Sequence, residues 1–297
     1  MTRHFLEMDD LSAKELGNLL EQPGKVHPTP LLAGKGVALL FEKPSARTRS
    51  SMEMAVVDLG GHPVTIRGDE VGLDGRELVE DVARTLASYH AAVGARVFEH
   101  SKLERLRAGG IPVINLLSDE GHPIQALADL LTVRQELGGL RDRSLAYVGD
   151  GNNMCRSLMI GGGLAGMEVR VACPEGYEPS HADIGRAAAA GPHPVLSVGD
   201  PEGAVKDADV VYTDVWTSMG REEEAEQRRR DFAGFTVTPE LMASAAPDAI
   251  FLHCLPAHRG EEVAGEVIDG PASRVWPQAA NRRHAARGLL SWLLSHS

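Results

Sequence analysis

The chain has 297 residues, 43% of them hydrophobic, enough to bury a substantial core in one large or two medium domains, and two is the expectation. A formal net charge of -12 argues against nucleic acid or an anionic membrane as a general partner, so any anion must be held by a local site. No hydrophobic signal core follows Met1, no window approaches a membrane span, and three widely spaced cysteines (Cys155, Cys173, Cys254) suit a reducing compartment, so a cytoplasmic protein is expected.

Along the chain a short apolar run, a polar loop and a helix-like pattern recur, the signature of a mostly parallel α/β sheet. Val37 to Phe41 is the first run. The loop Lys43 to Ala46 then opens onto a helix carrying Met52, Ala55, Val56 and Leu59 at helical spacing, stopped by Gly60-Gly61. Pro112 to Leu117 repeats the theme, leading through Ser118 to His122 into a helix with Pro123 in its first turn. Around Gly138-Gly139 it restarts, and a domain boundary is expected near residue 135. Leu145 to Val148, Val169 to Cys173, Val210 to Thr213 and Ala249 to His253 read as later strands. Between the last two lies the charge run Arg221 to Asp231, read as a solvated face. Asn281 to Leu294 reads as an amphipathic helix.

Ser45-Ala46-Arg47-Thr48-Arg49 places two hydroxyls and two guanidiniums at a helix start, where free N–H groups and the helix dipole favour an anion such as phosphate. Alone, these residues fit an ordinary capped helix with surface arginines equally well. His122 and Gln125 sit at a strand's carboxyl end, where His122 alone could be a helix cap; Arg96 alone could be a surface charge. Cys254 from spacing alone reads as a small core hydrophobe. His253, Cys254 and His258 have no fourth ligand at a familiar spacing, so no metal is expected. Gly149-Asp150-Gly151-Asn152-Asn153-Met154 follows a strand but lacks the third glycine of a dinucleotide fingerprint, and no cofactor is expected.

Taken together in order and spacing, the five-residue phosphate loop, Arg96, His122-Pro123-Ile124-Gln125, Asp214 to Gly220, His253-Cys254-Leu255-Pro256 and Asn281-Arg282 resemble the aspartate/ornithine carbamoyltransferase family. Asp214-Val215-Trp216-Thr217-Ser218-Met219-Gly220 looks like the ornithine branch. The resemblance implies a carbamoyl phosphate domain, 1–134 with the returning C-terminal helix 277–297, an acceptor domain, 135–276, and a closing cleft. It also implies a homotrimer, with carbamoyl phosphate and ornithine as partners. It assigns Ser45, Ala46, Arg47 and Thr48 to the phosphate and Arg96, His122 and Arg282 to the carbamoyl oxygen. Gln125 would orient the carbamoyl NH2, Cys254 and Leu255 would adjoin the reacting groups, and Asn153, Asp214, Ser218 and Met219 would bind ornithine. Ala46, Met52, Cys155-Arg156 and Ala280 depart from the family pattern, and the segment 73–77 matches too loosely to be given a role. Rival readings are another amine acceptor, or a catalytically weak regulatory relative; retention of Arg47, Arg96, His122, Gln125, Cys254 and Arg282 argues against the second.

Overall fold

Gly36-Val37-Ala38-Leu39-Leu40-Phe41 forms β1 (Gly36–Phe41), buried from Val37 onward, as a strand covered on both faces of a parallel sheet must be. In the computed structural model, which describes residues 2–21, 29–217 and 222–296, β1 pairs in parallel with β2 (His62–Arg67) and β3 (His90–Arg96). With β4 (Val113–Leu117) the order is β2-β1-β3-β4. This sheet belongs to the first of two units, Met1–Ala128 with Ala280–Ser297.

Two strands of this sheet leave little mark in the sequence. β2 is a half-exposed edge strand with Pro63 as its second residue, a position where a missing ladder N–H is tolerated. β3, His-Ala-Ala-Val-Gly-Ala-Arg, has a single β-branched residue to announce it.

The second unit, Asp129–Ala279, holds a five-stranded parallel sheet in the order β7-β6-β5-β8-β9. Its strands are β5 (Ser144–Val148), β6 (Glu168–Ala172), β7 (Leu196–Val198), β8 (Val210–Thr213) and β9 (Ile250–His253). Four match the apolar runs, and β7 is a three-residue, partly exposed edge that they do not flag.

Five helices carry the candidate site residues that do not lie on strand ends or loops, and part of the charge run: α1 (Ala46–Asp58), α2 (Pro123–Leu137), α3 (Asn153–Leu164), α4 (Ala225–Asp231) and α5 (Val275–Ser295). The sequence expectation puts the domain joins at 134/135 and 276/277; the units part at 128/129 and 279/280, inside α2 and α5. Gly138, at φ 75°, ends α2 without separating the units. α5 starts earlier than Asn281 because Pro277 lies in its first turn, where backbone N–H groups have no intrahelical partner to lose.

The charge run also departs from expectation. Most of its described residues are exposed, but Arg228 in α4 is 1% exposed, donating to Asp150 Oδ2 (2.8 Å), the Trp216 carbonyl (2.7 Å) and Glu224 Oε2 (2.9 Å). Its guanidinium lies 4.9 Å from the Tyr177 ring centroid, so an aromatic face and a carboxylate share the desolvated charge. Among the described residues, no helix is long and apolar enough to cross a membrane.

Strand order locates where ligands can enter. In the first sheet successive strands depart to opposite sides of β1, so the crevice lies at the carboxyl ends of β1 and β3; in the second it lies at the ends of β5 and β8.

Candidate active site

The carboxyl end of β1 leads to Ser45, whose extended backbone and side chain cap α1, Oγ accepting from the Thr48 N–H at 3.3 Å. Ala46 and Arg47 in the first turn are exposed, and Thr48 is buried. Arg49, in the same turn, pairs with Glu53 at 2.8 Å and so belongs to the helix surface. Arg96 ends β3 and is 4% exposed. His122, immediately before α2, is buried, and its carbonyl accepts from Gln125 N–H at 3.0 Å and Ala126 N–H at 3.2 Å.

Arg282 in α5 joins this group, donating from Nη2 to Thr48 Oγ1 at 2.6 Å and from Nη1 to Gln125 Oε1. Burial, reinforced by the positive charges of Arg282, Arg96 and Arg47, holds the His122 imidazole well below its usual pKa. It is therefore neutral near pH 7, a hydrogen-bond donor that adds no charge of its own. Ser45, Ala46, Arg47, Thr48, Arg96, His122, Gln125 and Arg282 thus all belong to one unit, the polar members at strand ends or helix starts except Arg282, which reaches in from two turns inside α5.

In the second unit Asp214 follows β8 and is 7% exposed. Its Oδ1 accepts from the Cys254 thiol at 3.0 Å and the Val215 N–H at 2.8 Å; Oδ2 accepts from Asn152 Nδ2 at 3.2 Å. Asn153, expected from the sequence at the acceptor site, is the half-buried first residue of α3. Its neighbour Asn152, in the same loop that the resemblance reads as part of the acceptor site but not singled out there, caps α3 through Met154 N–H (2.9 Å) and Cys155 N–H (3.1 Å) while its amide reaches Asp214. An asparagine just before a helical run signals a cap, but only tertiary structure reveals the second bond.

Cys254 and Leu255 follow β9, half-buried, with Leu255 at φ 61°. Cys155 and Cys173 are buried and their thiols are pushed up by desolvation, Cys173 to beyond the usual range, which leaves Cys254 as the more accessible of the three. Ser218 and Met219 lie outside the described residues. Gly151 has a packing reason: a Cβ there would meet Pro179 N at 2.5 Å and Tyr177 O at 2.6 Å.

Charged and hydroxyl groups at both switch points make this an α/β protein built to hold small polar ligands at strand carboxyl ends. Residues 3–135 match the aspartate/ornithine carbamoyltransferase carbamoyl-P binding domain, and residues 141–293 match the Asp/Orn binding domain of the same family. The chain belongs to the aspartate/ornithine carbamoyltransferase family. It is 51% identical to an ornithine carbamoyltransferase of Acidothermus cellulolyticus over 99% of this chain and 97% of that one. Its fold matches the solved ornithine carbamoyltransferase of Pyrococcus furiosus with a TM-score of 0.94 at 45% identity, covering 100% of this chain and 98% of the other. The Thermus thermophilus enzyme gives 0.90 at 44% identity, with 99% of each chain covered.

Proposed function

We propose that this protein transfers the carbamoyl group of carbamoyl phosphate to the δ-amine of ornithine, giving citrulline and phosphate. The observation that carries the choice of acceptor is Asp214, a buried carboxylate at the carboxyl end of β8. An α-ammonium is complementary to it, whereas the side-chain carboxylate of aspartate would meet like charge. The hydrogen-bond partners of the carboxylate among the described residues, the Cys254 thiol, the Val215 N–H and the Asn152 amide, bring it no positive charge, which leaves its own sign to meet the ligand.

In this reading the first unit binds the donor. Ser45, Arg47 and Thr48, with the free N–H groups of the α1 first turn including that of Ala46, hold the phosphoryl oxygens and stabilise phosphate as it leaves. Arg96, neutral His122 and Arg282 donate to the carbamoyl oxygen, where negative charge concentrates when the amine adds to the carbon. Gln125 Oε1 faces the carbamoyl NH2. The amine nitrogen forms the new C–N bond, the C–O bond to phosphate breaks, and the nitrogen gives up a proton. In the second unit Asp214 takes the α-ammonium, Asn153 with Ser218 and Met219 the carboxylate, and Cys254 and Leu255 adjoin the reacting groups.

A free δ-amine has a pKa of about 10.4, so neutralising it near pH 7 costs about 4 to 5 kcal/mol, which a desolvated environment lowers. We further propose that the protein is cytoplasmic and a homotrimer, the trimer to be checked by sedimentation of the purified protein.

The test is an acceptor panel of ornithine, aspartate, putrescine and N-acetylornithine, each with carbamoyl phosphate and no added metal or nucleotide. Phosphate release and ureido product are measured. Citrulline from ornithine at the highest kcat/KM is the expected result; turnover of another amine with no citrulline reassigns the acceptor.

A further inference from the structure

His253 begins the His-Cys-Leu-Pro run, yet neither motif nor mechanism gives it a task. It is 1% exposed, and every polar atom of its ring is engaged. Nδ1 lies 2.8 Å from the Leu255 N–H, which can only donate, so Nδ1 is the acceptor and the ring proton sits on Nε2. That proton points to Glu262 Oε1 at 3.2 Å. Glu262 is fully buried, and the same Oε1 accepts the His258 N–H at 2.6 Å. The His253 N–H is fixed separately by Gln278 Oε1 at 2.9 Å.

These bonds bracket the segment 254–258 from both ends. Inside it Leu255 holds φ at 61°, a left-handed conformation that a branched side chain adopts only when its surroundings over-determine it. The over-determination is visible: His253 captures the Leu255 N–H, and Glu262 captures His253 and His258 together. Directly before Leu255, Cys254 directs Sγ at Asp214 Oδ1. Glu262 with Glu261 and His258 brings three potential metal-ligand atoms within 4.8 Å. That trio is a poor cation site, since Arg229 holds Glu261 at 3.0 Å and Glu262 Oε2 is sealed from solvent.

We propose that His253 and Glu262 are positioning residues that hold Leu255 left-handed and so aim Cys254 at the acceptor carboxylate Asp214. The inference rests on the ornithine reading for its kinetic consequence, but not for its geometry. Cys254 supplies a readout that global stability does not move, because Cys155 and Cys173 are buried internal controls.

The experiment compares full-length His253→Asn, His253→Gln, His253→Leu, Glu262→Gln and Glu262→Leu with the unsubstituted protein. Steady-state citrulline formation gives kcat and both KM values, and mass-mapped iodoacetamide alkylation gives the Cys254 rate. Asparagine can accept the Leu255 N–H through its own oxygen, as in an Asx turn, whereas glutamine carries its amide too far out and leucine has none. Glu262→Gln keeps the acceptor oxygen. His253→Asn and Glu262→Gln should stay within about threefold of the unsubstituted kcat and alkylation rate. The folded leucine variants and His253→Gln should lose at least about tenfold in kcat, about 1.4 kcal/mol, and change the alkylation rate by at least about threefold. His253→Gln matching His253→Asn in both readouts, or Glu262→Gln losing as much as Glu262→Leu, would overturn the proposal, as would an unchanged Cys254 rate in every variant. If leucine variants do not fold, the Asn against Gln comparison at 253 decides. Absence of citrulline from the unsubstituted protein defeats the ornithine reading alone, and the alkylation rates still judge the positioning.

Discussion

Arg47 is the exposed guanidinium of the α1 first turn, and its positive charge already bears on buried His122. Removing it as Arg47→Ala should lower kcat/KM for carbamoyl phosphate by roughly 10- to 150-fold, the equivalent of a charge-assisted bond of about 1.5 to 3 kcal/mol. Unchanged kinetics in a folded variant would reject the phosphate assignment. Ala46 beside it is exposed and contributes backbone alone, so Ala46→Thr should shift the same quantity by no more than about tenfold, one ordinary hydrogen bond. A hundredfold gain would mean the natural loop is crippled, favouring a regulatory protein over an enzyme. At this scale the sequence is informative where chemistry is local. Ser45 as a cap and His122 before Pro123 follow from neighbours within four residues. Asn152 reaching Asp214, or Glu262 beneath His253, depends on contacts that no spacing along the chain encodes.

Helix α4 shows how an element can be legible in composition and still be misread. The charged residues that crowd Ala225–Asp231 suggest a solvated face, but one of them faces inward. A single buried arginine among exposed ones shifts no average, and only the 2.8 Å pair with Asp150 discloses it. Because Asp150 would lose the buried Arg228 counter-charge, Arg228→Ala should destabilise the protein by about 3 to 5 kcal/mol, read as a lower denaturation midpoint in urea. Arg229→Ala, on the exposed side, should cost no more than about 1 kcal/mol. A small loss at 228 would show that the aromatic faces and water replace the ion pair. The other elements divide by the same logic. Buried strands such as β1, β5, β8 and the covered edge β9 are mostly apolar runs, while the exposed edges β2 and β7 and the alanine-rich β3 lack that contrast.

On the scale of the whole molecule, four imidazoles among the described residues, those of His4, His90, His122 and His284, are held below their usual pKa of 6.5, in each case first by burial. A depressed histidine binds fewer protons folded than unfolded, so its contribution to stability is complete above a pH of about 6.5 and is lost as pH falls toward the folded value. Melting temperature should therefore decline between about pH 7 and 5. This comes before the acid limb below about pH 4, where carboxylates such as Asp58, held low by its hydrogen bond from Arg283, become protonated. A melting temperature flat across that interval would contradict the burial of these rings.

The return of α5 to the first unit sets an order of events during synthesis. Residues 1–128 leave the ribosome before the second unit, but Arg282, which ties Thr48 to Gln125, and the buried Leu289, Leu290 and Leu293 follow only after all of it. At about 5 to 20 residues per second, the first unit spends on the order of ten seconds or more without the helix that completes its core. The continuous second unit, 129–279, can close in the meantime. Chains truncated after residue 279 and released from the ribosome should accordingly yield a protease-resistant second unit behind a still-cleavable first one, inverting the usual amino-to-carboxyl sequence of domain folding.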